Sequence, residues 1–178
     1  MIKIFLYDFL YIVLNYIITY IPCWTIRKCI YQLTGLRIGK GSRICMRTRV
    51  MEPWNIVIGR NSIVNEACIL DGRGGLRIGD NCSVSTESIL YTASHSTNSE
   101  KFQYYEQETE LGNGVWIGAR SVILPGAMIG EGTVIGACSV VGKGVYDGYS
   151  IYAGIPARKR KNRGIDCIKD LNHKVLFR

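Results

Sequence analysis

Histidine is almost missing from this chain, with only His95 and His173 among 178 residues. That is too few for the histidine-rich centres of zinc enzymes, so no metal is expected. The seven cysteines form no CxxC pair and their number is odd. A disulfide framework is therefore not expected, and a reducing compartment is. No small-residue cleavage site follows the apolar N-terminal stretch, which argues against a cleaved signal peptide. Acidic side chains are outnumbered 14 to 22 by basic ones, for a net charge of +8. Much of the excess sits in Arg158, Lys159, Arg160, Lys161 and Arg163. Such a run suits an anionic partner, but stacking aromatics are absent around it, so no nucleic-acid role is expected.

What the chain does have is a six-residue beat. Leu111, Ile117, Ile123, Ile129, Ile135 and Val141 stand at every sixth position, and Gly112, Gly118, Gly130, Gly136 and Gly142 follow directly. Four places after each aliphatic comes a small residue or Val: Val115, Ser121, Ala127, Thr133, Ser139 and Val145. The beat also runs upstream through Ile38, Ile44 and Val50, then Ile58, Val64 and Leu70, then Ile78, Val84 and Leu90. Helices do not repeat at six, and a sandwich strand alternates at two. Three short strands per turn of a triangular parallel β-helix fit the pattern, with the aliphatics filling the prism. Glycine at the corners is expected to supply a backbone dihedral that other residues reach only with strain. Early coils run twenty residues and later ones eighteen. The beat due at 96 resumes at 111, so residues 96–110 are expected to loop out. A stack of coils has bare apolar ends and needs caps. The division expected is a hydrophobic helical cap over 1–36, a β-helix over 37–157 and a basic tail over 158–178. A short helix is expected from Asp166 to Phe177.

The segment Ile2 to Ile21 has the length of a membrane span. Asp8 and Asn15 would be costly in hydrocarbon, which favours a capping helix. A peripheral membrane contact is the next reading and a true span the last. The expected location is cytoplasmic, or peripheral to the inner face of the cytoplasmic membrane.

His95 closes the last hexad before the excursion, where the regular stack breaks, and Trp116 ends the first hexad after it. An unperturbed imidazole titrates near pH 6.5 and suits a general base. The loop between carries Lys101, Phe102, Tyr104, Tyr105, Glu106 and Glu108, a composition that fits a lid or a sugar-stacking surface.

Three segments carry a resemblance: Ile89-Leu90-Tyr91-Thr92-Ala93-Ser94-His95, Val115-Trp116-Ile117-Gly118-Ala119 and Gly154-Ile155-Pro156-Ala157-Arg158. They resemble the hexapeptide-repeat acyltransferases, among them maltose, galactoside and surface-polysaccharide O-acetyltransferases, over about residues 36–163. The resemblance implies an all-β-dominated, left-handed parallel β-helix, a homotrimer with sites between neighbouring prisms, and acetyl-CoA as donor. It implies a sugar or saccharide acceptor, with no covalent enzyme intermediate. His95 is then the base. Asn65 and Asp71 are expected at the acceptor, and Trp116 beside the reacting groups. Ala119 is expected at the thioester, and Ala137, Gly142 and Lys143 along the pantetheine arm. Arg158 and Lys161 are expected at the CoA phosphates. Many relatives have Thr where Gly142 stands, and often Arg where Lys161 stands. Two other readings stay open: an N-acetyltransferase of an amino-sugar nucleotide, and a non-catalytic scaffold subunit. The same fold serves both. A carbonic anhydrase is disfavoured by the shortage of histidine.

Overall fold

A computed structural model describes residues 2–164. The expected helix from Asp166 to Phe177 lies outside the described residues. Short strands wind into a left-handed parallel β-helix with three faces. The first face begins with Arg37–Ile38, Ile56–Ile58 and Leu76–Ile78, the second with Arg43–Ile44, Ile63–Val64 and Ser83–Val84. The third begins with Arg49–Met51, Ile69–Asp71 and Ile89–Leu90. Register follows the beat: Ile38 pairs with Ile58, Ile58 with Ile78, Ile78 with Leu111, and Leu111 with Ile129. Ile44, Val64, Val84, Ile117 and Ile135 are fully buried down the middle. Cys68 and Cys82 fill small slots, and their thiols reach the carbonyls of Ser85 at 3.2 Å and Gly112 at 3.0 Å. Burial pushes the Cys68 thiol up to about 12 and that of Cys82 to about 11, so neither is a thiolate at neutral pH.

The glycine expectation needs correcting. Glycines that follow an aliphatic are not left-handed; all but Gly142 are needed because successive coils touch. A Cβ on Gly39 would lie 2.4 Å from the Gly59 carbonyl oxygen, and one on Gly118 2.5 Å from the Ala137 nitrogen. The positive dihedrals fall elsewhere on the corners, at Asn61, Asn81, Ala67, Glu87, Arg120 and Cys138 among others.

The cap works by supplying the first coil with the partners that a preceding coil would provide. Helix α1 (Ile2–Tyr16) and helix α2 (Trp24–Leu33) lie against that coil. The buried Asn15 amide imitates a strand residue, accepting from the Val50 N–H at 2.7 Å and donating to the Val50 carbonyl at 3.0 Å. Thr19 donates to the Thr48 carbonyl at 2.9 Å, and the buried Arg27 to the Ile44 carbonyl at 2.9 Å. An open strand edge is thus closed without another strand. Asn15, costly in hydrocarbon, is used up inside the protein. No helix among the described residues is long and apolar enough to cross a membrane.

The far end is closed differently. Arg158–Asn162 folds back as an antiparallel strand on Ser150–Ala153, so residues assigned to the tail begin as part of the second face.

Candidate active site

The break in the coil is a hairpin. Ala93–His95 pairs antiparallel with Tyr104–Glu106, setting His95 opposite Tyr104. The column resumes at Thr109, because Thr109–Leu111 pairs with Leu76–Ile78. The expected loop-out to 110 therefore overran by two residues: this coil begins with a three-residue strand, as do the coils that open with Ile56–Ile58 and Leu76–Ile78.

His95 is exposed, and its Nδ1 lies 2.6 Å from the Phe102 carbonyl oxygen. A carbonyl only accepts, so the neutral ring carries its proton on Nδ1 and keeps the lone pair on Nε2. Phe102 holds that carbonyl in place from a left-handed conformation (φ 48°), which a bulky residue adopts only at a cost. The Tyr104 ring meets the imidazole edge-on at 5.6 Å. Above Tyr104, at 6.0 Å, sits the Arg73 guanidinium.

Arg73 is held in turn by Asp71, whose carboxylate takes its Nε at 2.9 Å and its terminal nitrogen at 3.0 Å. The backbone N–H of Thr92, just before the hairpin, donates to the same carboxylate at 3.0 Å. Asp71 is fully buried and these donors surround it. In this chain it positions Arg73 and the hairpin root. Burial alone would raise the Asp71 carboxyl, but the Arg73 side chain and the backbone donors outweigh it and hold it below the ordinary value. A depressed carboxyl contributes stability above its unfolded value, near pH 4, and that contribution is lost as pH falls through the folded value. Asp71→Asn should therefore cost about 2 kcal/mol at pH 7. Denaturant titrations should show the gap from wild type closing below about pH 4. A gap that does not change with pH contradicts the assignment.

The other expected residues divide between two edges of the prism. Asn65, Trp116, Ala119 and Ala137 gather at the edge joining the second face to the third. The Asn65 amide donates to the Val84 carbonyl at 2.9 Å, and the exposed Trp116 donates through its indole N–H to Ser85 Oγ at 3.0 Å. Ala119 and Ala137 stand on successive coils, with the Cys138 N–H donating to the Ala119 carbonyl at 2.9 Å. The Gly154-Ile155-Pro156-Ala157 corner continues this edge and leads to Arg158 and Lys161, both exposed on the terminal strand. His95 springs from the next edge, where the third face turns to the first. Gly142 and Lys143 lie on that edge too, two coils further on. A Cβ on Gly142 would meet nothing within 4 Å, so the backbone there is open to a ligand. The two edges are separated by one face of about six residues, roughly 15–20 Å.

Three residues that matter here were not singled out in the sequence. Arg73 carried a signal in its place two residues after Asp71, and Tyr104 in the aromatic loop; Ser85 carried none. A cavity of about 440 Å³ opens at the hairpin root, lined by Arg37, Arg73, Arg77, Glu106, Gln107 and Glu108, with Arg77 ion-paired to Glu108. Among the described residues no group of three or more His, Cys, Asp or Glu is placed to hold a metal ion.

A column of three-strand coils, interrupted once by a hairpin that displays an imidazole, defines a left-handed parallel β-helix. Residues 108–143 match the family model described as bacterial transferase hexapeptide (six repeats). The chain is 36% identical over 110 residues to nodulation protein L of Rhizobium meliloti, covering 60% of each protein. It is 36% identical over 107 residues to galactoside O-acetyltransferase of Escherichia coli, covering 58% of this chain and 52% of that one. The chain thus spans little more than half the length of these curated relatives. Among solved structures, a maltose O-acetyltransferase from Clostridium difficile superposes with a TM-score of 0.83 at 26% identity, over 92% of this chain and 89% of the other.

Proposed function

We propose that this chain is an acetyl-CoA-dependent O-acetyltransferase that acts on a sugar hydroxyl, in the assembly of a surface polysaccharide or related glycan. The carrying observation is the His95 imidazole, with Nδ1 committed to the Phe102 carbonyl and Nε2 left as the base. A sugar hydroxyl attacks a thioester poorly while it keeps its proton. Nε2 takes that proton as the oxygen bonds to the acetyl carbonyl carbon. The tetrahedral adduct then expels the CoA sulfur, which recovers the proton from the imidazolium. A backbone N–H at Ala119 is the donor assigned to the developing oxyanion, a contribution of about 3 kcal/mol where such donors are fixed in advance.

The donor then lies in a groove between two prisms. One wall holds Asn65, Trp116, Ala119 and Ala137; the other holds His95, Gly142 and Lys143. Arg158 and Lys161 meet the phosphates at the groove's end, Lys161 as a point charge without the fork of an arginine. Within one chain the walls face different ways, so the site needs a second subunit, and a homotrimer supplies three such grooves. The cavity beside the hairpin supports a saccharide acceptor: its guanidinium groups alternate with carboxylates and an amide, which matches a ring of hydroxyls better than an apolar ligand. The named activities of the galactoside and maltose relatives support the same acceptor class. The location in keeping with acetyl-CoA is the cytoplasm, at or near the inner face of the membrane.

The test is to mix the chain with acetyl-CoA and a thiol reagent and add candidate saccharides. Free CoA should appear only with an acceptor. If no acceptor releases CoA and calorimetry detects no CoA binding, the chain is a scaffold and the proposal fails.

A further inference from the structure

We propose that the N-terminal cap is a docking surface for an anionic lipid bilayer, on which the helix α1 lies flat. This goes beyond the catalytic reading and does not depend on it. A helix packed on a soluble column normally presents one apolar stripe to the column and a polar one to water. Helix α1 is apolar on both sides. Leu14 is buried against the coil. On the opposite side Phe5, Phe9, Ile12 and Tyr16 recur at i, i+4, i+7 and i+11, and they are 69%, 56%, 52% and 57% exposed. Phe5 and Phe9 stack on one another 6.3 Å apart, while Tyr7 packs edge-on to Trp54 of the second coil. Leu33, at the end of α2, is 87% exposed.

Charge identifies the occupant. Between Asp8 and Glu52 there is no acidic residue, and the stretch holds Arg27, Lys28, Arg37, Lys40, Arg43, Arg47 and Arg49. Thirteen of the fourteen acidic residues lie from Glu52 onward. The first coil is the edge strand of every face, so Arg37, Lys40, Arg43, Arg47 and Arg49 encircle the end that the helices cap. Arg27 is spent inside the cap, and Arg47 reaches Glu66. The exposed Arg37, Lys40 and Arg49 leave positive charge at the end that carries the aromatic stripe, the pairing that binds amphipathic segments to anionic headgroups. Two copies meeting through this end would set cation against cation, which disfavours a self-interface. The 15 residues of α1 rise roughly 22 Å against about 30 Å of hydrocarbon, so the geometry suits lying in the interface rather than crossing it. Asp8, the one acid on the helix, sits at the margin of the stripe, where headgroups and water are within reach.

Sedimentation with vesicles tests this. The full chain should pellet with vesicles of phosphatidylcholine containing about a third phosphatidylglycerol, and far less with phosphatidylcholine alone. High salt should release it. The double variant Phe5→Asp/Phe9→Asp should lose binding. Lys40→Glu/Arg49→Glu should weaken it at least tenfold. Both variants should keep the wild-type circular dichroism, CoA affinity and molecular mass. A wild-type chain that stays in the supernatant with anionic vesicles overturns the proposal. So does a Phe5→Asp/Phe9→Asp variant that binds vesicles normally, or one whose only change is a smaller molecular mass, since the stripe would then be an interface between copies. CoA affinity is read separately, so a failure of vesicle binding does not touch the acetyltransferase reading.

Discussion

Replacing His95 with alanine should lower the rate of CoA release to a saccharide acceptor by roughly 10²–10⁴-fold, the range associated with loss of a general base. The expectation comes from how the ring is held. Its Nδ1 proton is fixed by the Phe102 carbonyl, its face is braced by Tyr104, and Tyr104 is braced by an arginine that a buried aspartate holds. A ring fixed this way presents Nε2 without first having to find the right tautomer. In the proposed mechanism the imidazole acts on the hydroxyl and not on the nucleotide, so calorimetry should show CoA affinity unchanged. The loss should appear in kcat with KM for acetyl-CoA held, the signature of an interaction made in the transition state alone. A neutral amine needs no proton removed before it attacks. A variant that retains most of its activity toward an amino sugar would therefore move the assignment to N-acetylation.

The second large effect is on folding. Ile135→Asp should leave no folded protein, whereas Val134→Asp, one residue away, should change stability by no more than about 1 kcal/mol. Ile135 is fully buried in the column, between Ile117 below and Tyr152 above, while Val134 points outward from the same strand. A carboxylate at 135 has no partner within the prism, and an unpaired buried charge costs about 3–5 kcal/mol or more. A domain of this size is stable by about 5–15 kcal/mol. In a stacked coil the damage also breaks the contact between neighbours on either side. Circular dichroism of the two purified variants decides the phase of the repeat. Equal behaviour would mean that the column is not built on the six-residue beat.

The beat itself made most of the fold legible. Ile38, Ile58, Ile78, Leu111 and Ile129 stack in the order their spacing requires, since a side chain every sixth residue can reach the axis of a triangular coil and its neighbours cannot. The reason for the glycines was less legible. Gly39 and Gly118 mark places where two coils touch, which depends on the distance between coils and not on either residue's own dihedral preference. Asn15 read as a polar flaw in an apolar helix. Its role as a substitute strand partner for Val50 appears only once helix and first coil are in contact. His95 and Trp116 could be picked out because each stands where the repeat breaks or resumes. Asp71 could be located but not interpreted, because its burial and its hold on Arg73 come from the hairpin folding over it. Nor could sequence spacing reveal that the expected site residues occupy two edges of the prism, since position around a coil depends on where each corner falls.

That division is the centre of the account, and mixing two inactive chains tests it most directly. His95→Ala damages one wall of the groove and Trp116→Ala the other. If each site takes one wall from each of two subunits, oligomers assembled from equal amounts of the two variants contain some grooves with both walls intact. Activity should then return to roughly a quarter of wild type. If one chain supplies both walls of its own site, every site in the mixture carries a lesion. Activity that stays at the level of the separate variants would contradict the account.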